Sequence, residues 1–245
     1  MVIPAHNEAL LLPRCLEAIS AASARVRDAV EVIVVANRCS DSTAAIARDA
    51  GAVVIDDDTR NISAVRNAGA AAATGDVIVT IDADCRMSPA ALGEIGRLLR
   101  SRGCVGGGTK VLPERSSAGI RATYVAVDLL TCVTGLSGGM FWCRRSDFEA
   151  IGGFDEGLLL GEDLDFARRL RAHGRRSGRR LTMLRTAPVE ASTRKFDRFG
   201  DWHMFAMAGQ LRGIRAALRG TDTSWVDRYF FDFNDAPEHP SARTV

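Results

Sequence analysis

Val77-Ile78-Val79-Thr80-Ile81-Asp82-Ala83-Asp84 is a run of β-branched residues that ends in two carboxylates. The apolar part is short and uninterrupted, as expected of a strand covered on both faces in a parallel sheet. Alternation along an extended chain puts residues i and i+2 on one side, so Asp82 and Asp84 are expected to emerge together at the strand's C-terminal end. Two hard oxygen ligands there suit Mg²⁺ or Mn²⁺, and such a cation would in turn hold a diphosphate. The competing reading, that the pair caps the next helix, is weakened by Ser88-Pro89, which reads as an N-cap followed by proline at the first helical position.

Upstream, short apolar runs alternate with alanine-rich segments. Strands at Val2 to Pro4, Val32 to Val35, Ala52 to Ile55 and Val77 to Ile81 are separated or followed by helices beginning near Glu8, Asp41, Ile62 and Pro89. That order predicts β-α-β units and a mostly parallel sheet flanked by helices, the α/β class, with ligands at the strand C-termini.

Downstream the pattern turns to α+β: a glycine-rich strand over Val105 to Val111, a helix over Ile120 to Cys132, a strand over Met140 to Arg144, a charged helix from Glu162 and a strand over Leu181 to Leu184. The segment Gly161-Glu162-Asp163-Leu164-Asp165 is a second acidic cluster, with Leu164, Ala167 and Leu170 as the expected buried stripe. Acids in a first helical turn also serve simply to oppose the macrodipole. From Thr193 a tail mixes basic residues with Phe196, Phe199, Trp202, Phe205, Trp225, Tyr229 and Phe230. Core packing is the default for its aromatics; the other readings are a helix closing over the ligand site, docking of a second subunit as a homodimer, and peripheral contact with a membrane.

Composition removes several classes. In 245 residues, 32 Lys and Arg stand against 30 Asp and Glu, and a net charge of +2 offers no electrostatic case for nucleic acid. The six cysteines lack Cys-x-x-Cys spacing, so neither a zinc site nor a disulfide framework is suggested, and a reducing cytosol is the natural setting. No apolar run is long enough to span a bilayer and no signal peptide is apparent, so the expectation is a cytoplasmic protein whose membrane contact, if any, is peripheral at the inner face. Neither a Gly-x-Gly-x-x-Gly fingerprint nor a Walker-type loop follows the first strand, which argues against dehydrogenases and P-loop NTPases.

Five fragments occur in order: Val2-Ile3-Pro4-Ala5-His6-Asn7-Glu8, Arg66-Asn67-Ala68-Gly69, Asp82-Ala83-Asp84, Gly152-Gly153-Phe154-Asp155-Glu156 and Gly161-Glu162-Asp163. Together they resemble the family 2 glycosyltransferases of the GT-A fold. The resemblance implies a domain over residues 1–190, with a nucleotide-sugar half (1–88) and an acceptor half (89–190), followed by a helical, aromatic tail (191–245). It implies that Pro4, Ala5 and Glu8 line the nucleotide pocket, that Arg66 faces the nucleotide or its phosphates, and that Asp82, Ala83 and Asp84 form an Asp-x-Asp metal and diphosphate site. Asp163, beside Glu162, would be the catalytic base, and Gly138 and Gly139 would lie near the sugar and acceptor. His203 follows Trp202 where some related enzymes place a late metal or phosphate contact. Asn37 stands where many members carry an acidic residue that contacts the base.

The activity implied is transfer of one sugar, with inversion, from a nucleotide-diphosphate sugar to an acceptor hydroxyl on a glycan, a lipid-linked substrate or a small molecule, using Mg²⁺ or Mn²⁺. The Gln-x-x-Arg-Trp pattern of processive synthases is absent, in keeping with single addition. A nucleotidyltransferase is the alternative enzyme, although its basic, glycine-rich phosphate loop is missing. A catalytically inactive nucleotide-sugar-binding partner protein is the alternative from another class.

Overall fold

Side chains alternate along the central strands, and here each face of the sheet receives a different core. Val2, Ile33, Val35, Ile78, Phe141 and Cys143 point to one layer, while Ile3, Val34, Val79 and Trp142 point to the other. The computed structural model describes residues 1–134 and 139–208. Within them the order is β1 (Val2–Ala5), α1 (Leu12–Ser23), β2 (Ile33–Asn37), α2 (Thr43–Asp49), β3 (Val53–Asp57), α3 (Ile62–Ala72) and β4 (Val77–Thr80). There follow β5 (Cys85–Met87), α4 (Ala91–Arg100), β6 (Cys104–Pro113), α5 (Ala118–Thr134), β7 (Phe141–Arg144) and α6 (Arg145–Ala150). The last described elements are α7 (Glu162–Arg176), β8 (Arg180–Ala191), α8 (Arg194–Phe199) and α9 (His203–Ala208).

The strands form one mixed sheet in the order β3-β2-β1-β4-β7-β6-β8-β5. β3, β2, β1 and β4 are parallel, with Val2 opposite Ile33 on one side and opposite Thr80 on the other. The strand order reverses at β1, with β2 and β3 added on one side and β4 on the other, so a crevice opens beyond the C-terminal ends of β1 and β4, where open α/β sheets bind ligands. β7 runs antiparallel to both β4 and β6, and β8 joins β6 in parallel and β5 in antiparallel register.

Helices cover both faces by presenting apolar stripes at helical spacing. Leu12, Cys15, Ile19 and Ala22 of α1 and Ala91, Ile95 and Leu99 of α4 face the layer of Ile3, Val34 and Trp142. In the layer of Val2 and Ile33, Phe148, Phe154 and Phe166 pack with Phe141, and Phe154 stacks on Phe166 at 4.2 Å. Each such ring, fully withdrawn from water, contributes on the order of 2 kcal/mol. Gly69 lets α3 lie directly on β1, because a Cβ there would meet Val2 Cγ1 at 2.4 Å.

The first four predicted strands appear close to their expected limits; several helix starts do not. The chain turns once more after Glu8, with Leu12 N–H bonded to Glu8 O at 2.8 Å, and α1 begins at Leu12. Asp41 caps a turn through Thr43 N at 2.9 Å, so α2 begins two residues late. Ser88-Pro89 makes a turn that leads into α4, with Ala90 N donating to Ser88 Oγ at 3.4 Å; the N-cap position itself is Ala90, which has no capping side chain. On α7, Leu164 is exposed and the buried stripe is Phe166, Ala167, Leu170 and Gly174. β8 runs on to Ala191 instead of ending near Leu184. The predictions at Gly138, Trp225, Tyr229 and Phe230 lie outside the described residues.

Candidate active site

Two loops at the C-terminal ends of β1 and β2 form one wall of the crevice. Both carry a non-glycine residue at positive φ, Asn7 at 50° and Arg38 at 49°, a conformation that must be held by bonds around it. Those bonds are present. Asn7 Oδ1 accepts from Ser40 N at 2.8 Å, Glu8 N donates to Thr43 Oγ1 at 2.8 Å, and Ala9 N donates to Asp41 Oδ2 at 3.0 Å. His6 Nδ1 lies 2.6 Å from Asn37 O. The Asn37 amide nitrogen bonds Asp57 Oδ1 and Thr59 O, each at 2.8 Å, so this buried side chain organises the exit of β3.

Asp82 and Asp84 lie one step beyond β4, in a turn and not on the extended strand that sequence alternation implied. Cys85 N donates to Asp82 O at 3.0 Å and Ser192 N to Asp84 O at 3.1 Å, which fixes the turn at both ends. The turn still brings the two carboxylates together: ligand atoms of Asp82, Asp84 and Cys85 all lie within 4.8 Å of one another. Burial raises the Asp84 carboxyl above its ordinary value, against the pull of the nearby Arg194 charge.

The opposite wall is the first turn of α7. Gly161 caps it at φ 79°, and Glu162 and Asp163 face the crevice. Arg66, from α3, spans the gap. Its Nη2 donates to Asp82 Oδ1 at 2.9 Å, and its Nη1 donates to Asp163 Oδ1 at 2.8 Å and to Glu162 Oε1 at 3.2 Å. Burial would disfavour its charge, but Asp163, Asp82 and Glu162 outweigh burial and raise its pKa. Burial pushes the Asp163 carboxyl up to about 7, with the Arg66 guanidinium opposing and Glu162 and Asp82 adding to the rise.

A third contribution carried no motif. The start of α8, just after β8, brings Arg194 and Lys195 to the same crevice. Arg194 Nη2 bonds Glu8 Oε1 and stands 3.6 Å from Asp84 Oδ2. Burial lowers the Lys195 pKa, with Asp84 acting against it. A basic pair just after a strand was the available signal; it looked like part of the tail.

The resulting cleft has a volume of about 390 Å³. Pro4, Ala5, His6, Glu8 and Asn37 line one end, Asp82, Ala83 and Asp84 the floor, and Glu162 and Asp163 the other side. Its lining holds five carboxylates, Glu8, Asp82, Asp84, Glu162 and Asp163, against three cations, Arg66, Arg194 and Lys195. With every one of these groups ionised, the excess of two negative charges would be balanced by one divalent cation, and hard carboxylate oxygens are the ligands Mg²⁺ and Mn²⁺ take.

Two expected site residues stand elsewhere. His203 is buried against Phe196, ring centroids 4.7 Å apart, with Nδ1 at 2.7 Å from Gly200 O, and it belongs neither to the cleft lining nor to the Asp82, Asp84, Cys85 group. Its aromatic packing on α8 is the reason. Gly139 adopts φ 81° against Val111 and does not line the cleft.

Comparison with known proteins follows the same outline. The sequence model described as glycosyl transferase family 2 matches residues 1–123. A TPR repeat-containing protein of Synechococcus elongatus is 46% identical over 81 residues, covering 32% of this chain and 18% of that protein. The structure of S. aureus TarS superposes with a TM-score of 0.61 at 15% identity, over 91% of this chain and 43% of the other. TarS has also been solved in complex with UDP-GlcNAc. The mannosyltransferase PcManGT from Pyrobaculum calidifontis, in complex with GDP-Man and Mn²⁺, gives 0.60 at 20% identity, over 78% of this chain and 55% of the other. The chain thus spans less than two thirds of the length of each of these proteins, and the likeness in fold is to GT-A glycosyltransferases.

Proposed function

The chain belongs to glycosyl transferase family 2, and from that premise we propose that it transfers a single sugar from a nucleotide-diphosphate donor to an acceptor hydroxyl, with inversion at the anomeric carbon. The observation that carries this reading is the meeting, in one cleft, of the Asp82 and Asp84 pair with the Glu162 and Asp163 pair from the far half of the chain. In this reading the nucleotide lies along Pro4, Ala5 and Asn37, with its diphosphate over Asp82 and Asp84. The UDP-GlcNAc and GDP-Man held by the structural relatives support a donor of that class, and the Mn²⁺ of PcManGT supports Mn²⁺ or Mg²⁺ at the acid pair. The cation supplies charge stabilisation for the departing diphosphate.

The chain's own residues account for the rest. Asp163 accepts the acceptor's hydroxyl proton while the new O–C bond forms at the anomeric carbon. The bond to the diphosphate breaks, and its electron pair leaves with the nucleotide. Its raised pKa suits a base working near neutrality. Arg194 and Lys195 bring positive charge to the side where the leaving group gains negative charge. Direct displacement on an α-linked donor yields a β-linked product. We assign residues 1–88 to donor binding and 89–190 chiefly to the acceptor, and a hexose is the sugar class proposed. A reducing, cytosolic setting is part of this reading, from the lack of Cys-x-x-Cys or framework spacing among the six cysteines. No described helix is long and apolar enough to cross a membrane.

The test is a thermal-shift panel of nucleoside diphosphates and nucleotide sugars, each with Mn²⁺ and with EDTA, followed by product analysis on the donor that binds. A stabilisation by one nucleotide that EDTA removes is expected. Absence of any nucleotide-dependent shift would sink the donor assignment, and binding without turnover on any hydroxyl acceptor would leave a binding protein.

A further inference from the structure

Arg66 is 4% exposed, and its guanidinium is nearly used up before any ligand arrives. A guanidinium carries five N–H donors. Two on Nη1 serve Asp163 and Glu162, and one on Nη2 serves Asp82. Nε is buried with no bonding partner among the described residues, which leaves one further N–H, on Nη2. The group also lies 5.2 Å over the Phe154 ring, and Phe154 stacks on Phe166 of α7, the helix that carries Asp163. Its own helix is seated firmly: Asn61 Oδ1 caps α3 through Ala64 N at 3.1 Å, and Gly69 presses it onto β1.

We propose that Arg66 is a positioning residue that ties the metal-side carboxylate Asp82 to the base-side carboxylate Asp163, in place of the nucleotide contact that the sequence resemblance implied. The proposal rests on the roles assigned above to Asp82 and Asp163. A planar fork is the side chain that can hold carboxylates on two sides at once; a lysine ammonium is a single point charge. Through this strut, a change at Asp163 alters how strongly the guanidinium competes with a cation for Asp82.

The test titrates Mn²⁺ alone, by calorimetry, into the wild-type chain, Arg66→Lys, Arg66→Met, Asp163→Asn and the Arg66→Met/Asp163→Asn double variant, each first checked for a cooperative melt. Arg66→Met is expected to bind Mn²⁺ about tenfold more tightly, since Asp82 loses a competing cation. Asp163→Asn is expected to weaken Mn²⁺ about threefold in the wild-type background, where it leaves the guanidinium to Asp82, and by less than about twofold once Arg66 is gone. If Arg66→Met does not fold, Arg66→Lys replaces it, with the same loss of coupling expected. Equal Asp163→Asn effects in both backgrounds, or unchanged Mn²⁺ affinity on removing Arg66, overturn the strut. Turnover gives a second readout: kcat falls with donor KM nearly unchanged, whereas a raised KM with kcat retained returns Arg66 to donor binding. Nucleotide binding with an uncoupled Mn²⁺ cycle sinks only the strut, and an intact cycle without nucleotide binding sinks only the glycosyl-transfer reading.

Discussion

Arg194 Nη2 stands 3.6 Å from Asp84 Oδ2 while the same nitrogen bonds Glu8, so a cation from the first residue of α8 lies between the loop after β1 and the acid pair. In the absence of a metal it neutralises part of the charge that the turn of Asp82 and Asp84 concentrates. A diphosphate bound over that turn would be a better partner for it than a carboxylate already claimed by a metal.

Arg194→Ala is therefore expected to move two affinities in opposite directions. Mn²⁺ alone binds more tightly, because a competing cation is gone, and UDP or GDP in the presence of Mn²⁺ binds about tenfold more weakly, the scale of one charged hydrogen bond. Calorimetry with and without nucleotide measures both. A shift of both in the same direction would show that Arg194 does not meet the diphosphate.

Asp84→Asn is expected to remove the EDTA-sensitive part of nucleotide binding, with a loss on the order of 10²-fold in affinity for the Mn²⁺-nucleotide pair. The melting temperature without ligand should hold or rise, since burial already disfavours the Asp84 charge. Full metal-dependent binding by this variant would remove Asp84 from the ligand set.

Asp163→Asn is expected to keep nucleotide binding within a few-fold and to lower kcat by about 10²-fold or more, the usual scale for a lost general base. The wild-type rate should fall below about pH 7, because a base whose carboxyl is raised to about 7 is protonated, and so idle, on the acid side. A wild-type profile flat from pH 6 to 8, with pH values chosen about that point, would assign the proton to another group.

Asp147, which does not line the cleft, serves as a structural control. Its buried carboxylate takes both Nη atoms of Arg179, at 2.7 and 2.8 Å, and His173 Nε2 at 3.0 Å. Burial pushes its pKa up, but Arg179 and His173 outweigh burial and hold it below the ordinary value of 3.8. A depressed pKa in the fold means stability that is present above about pH 4 and lost as pH falls through the folded value. Asp147→Ala should cost about 3 kcal/mol in chemical denaturation at pH 7 and lose its penalty at low pH, with nucleotide affinity unchanged.

The parts of the fold visible in the sequence are those governed by local pattern. Val77 to Thr80 and Ile33 to Val35 are runs of apolar, mostly β-branched residues, and a strand follows from them directly. β5 has only Cys85, Arg86 and Met87, too few residues for a periodicity, and it exists because Val189 and Glu190 of β8 pair with it. Ser88-Pro89 reads as a helix start, and Ser88 does accept from Ala90 N through Oγ and from Ala91 N through its carbonyl, but the chain makes a turn there and the regular helix α4 begins at Ala91. The acids of the candidate site were marked by their motifs; Arg194 and Lys195, in a basic and aromatic stretch, were not.

The sequence by itself determined the α/β class, the position of two carboxylates just beyond a strand and of two more at a helix start, because pleat, helical period and turn chemistry act over a few residues. Only the tertiary structure decided that Asp82, Arg66 and Asp163 share one ion-paired group, that Asn37 spends its amide on Asp57 and Thr59, and that His203 packs on Phe196 away from the cleft. Those outcomes depend on strand order and on pairings across 16, 97 and more residues. The strength of such contacts is set by burial and by the charges that other elements bring, and a linear sequence carries neither quantity.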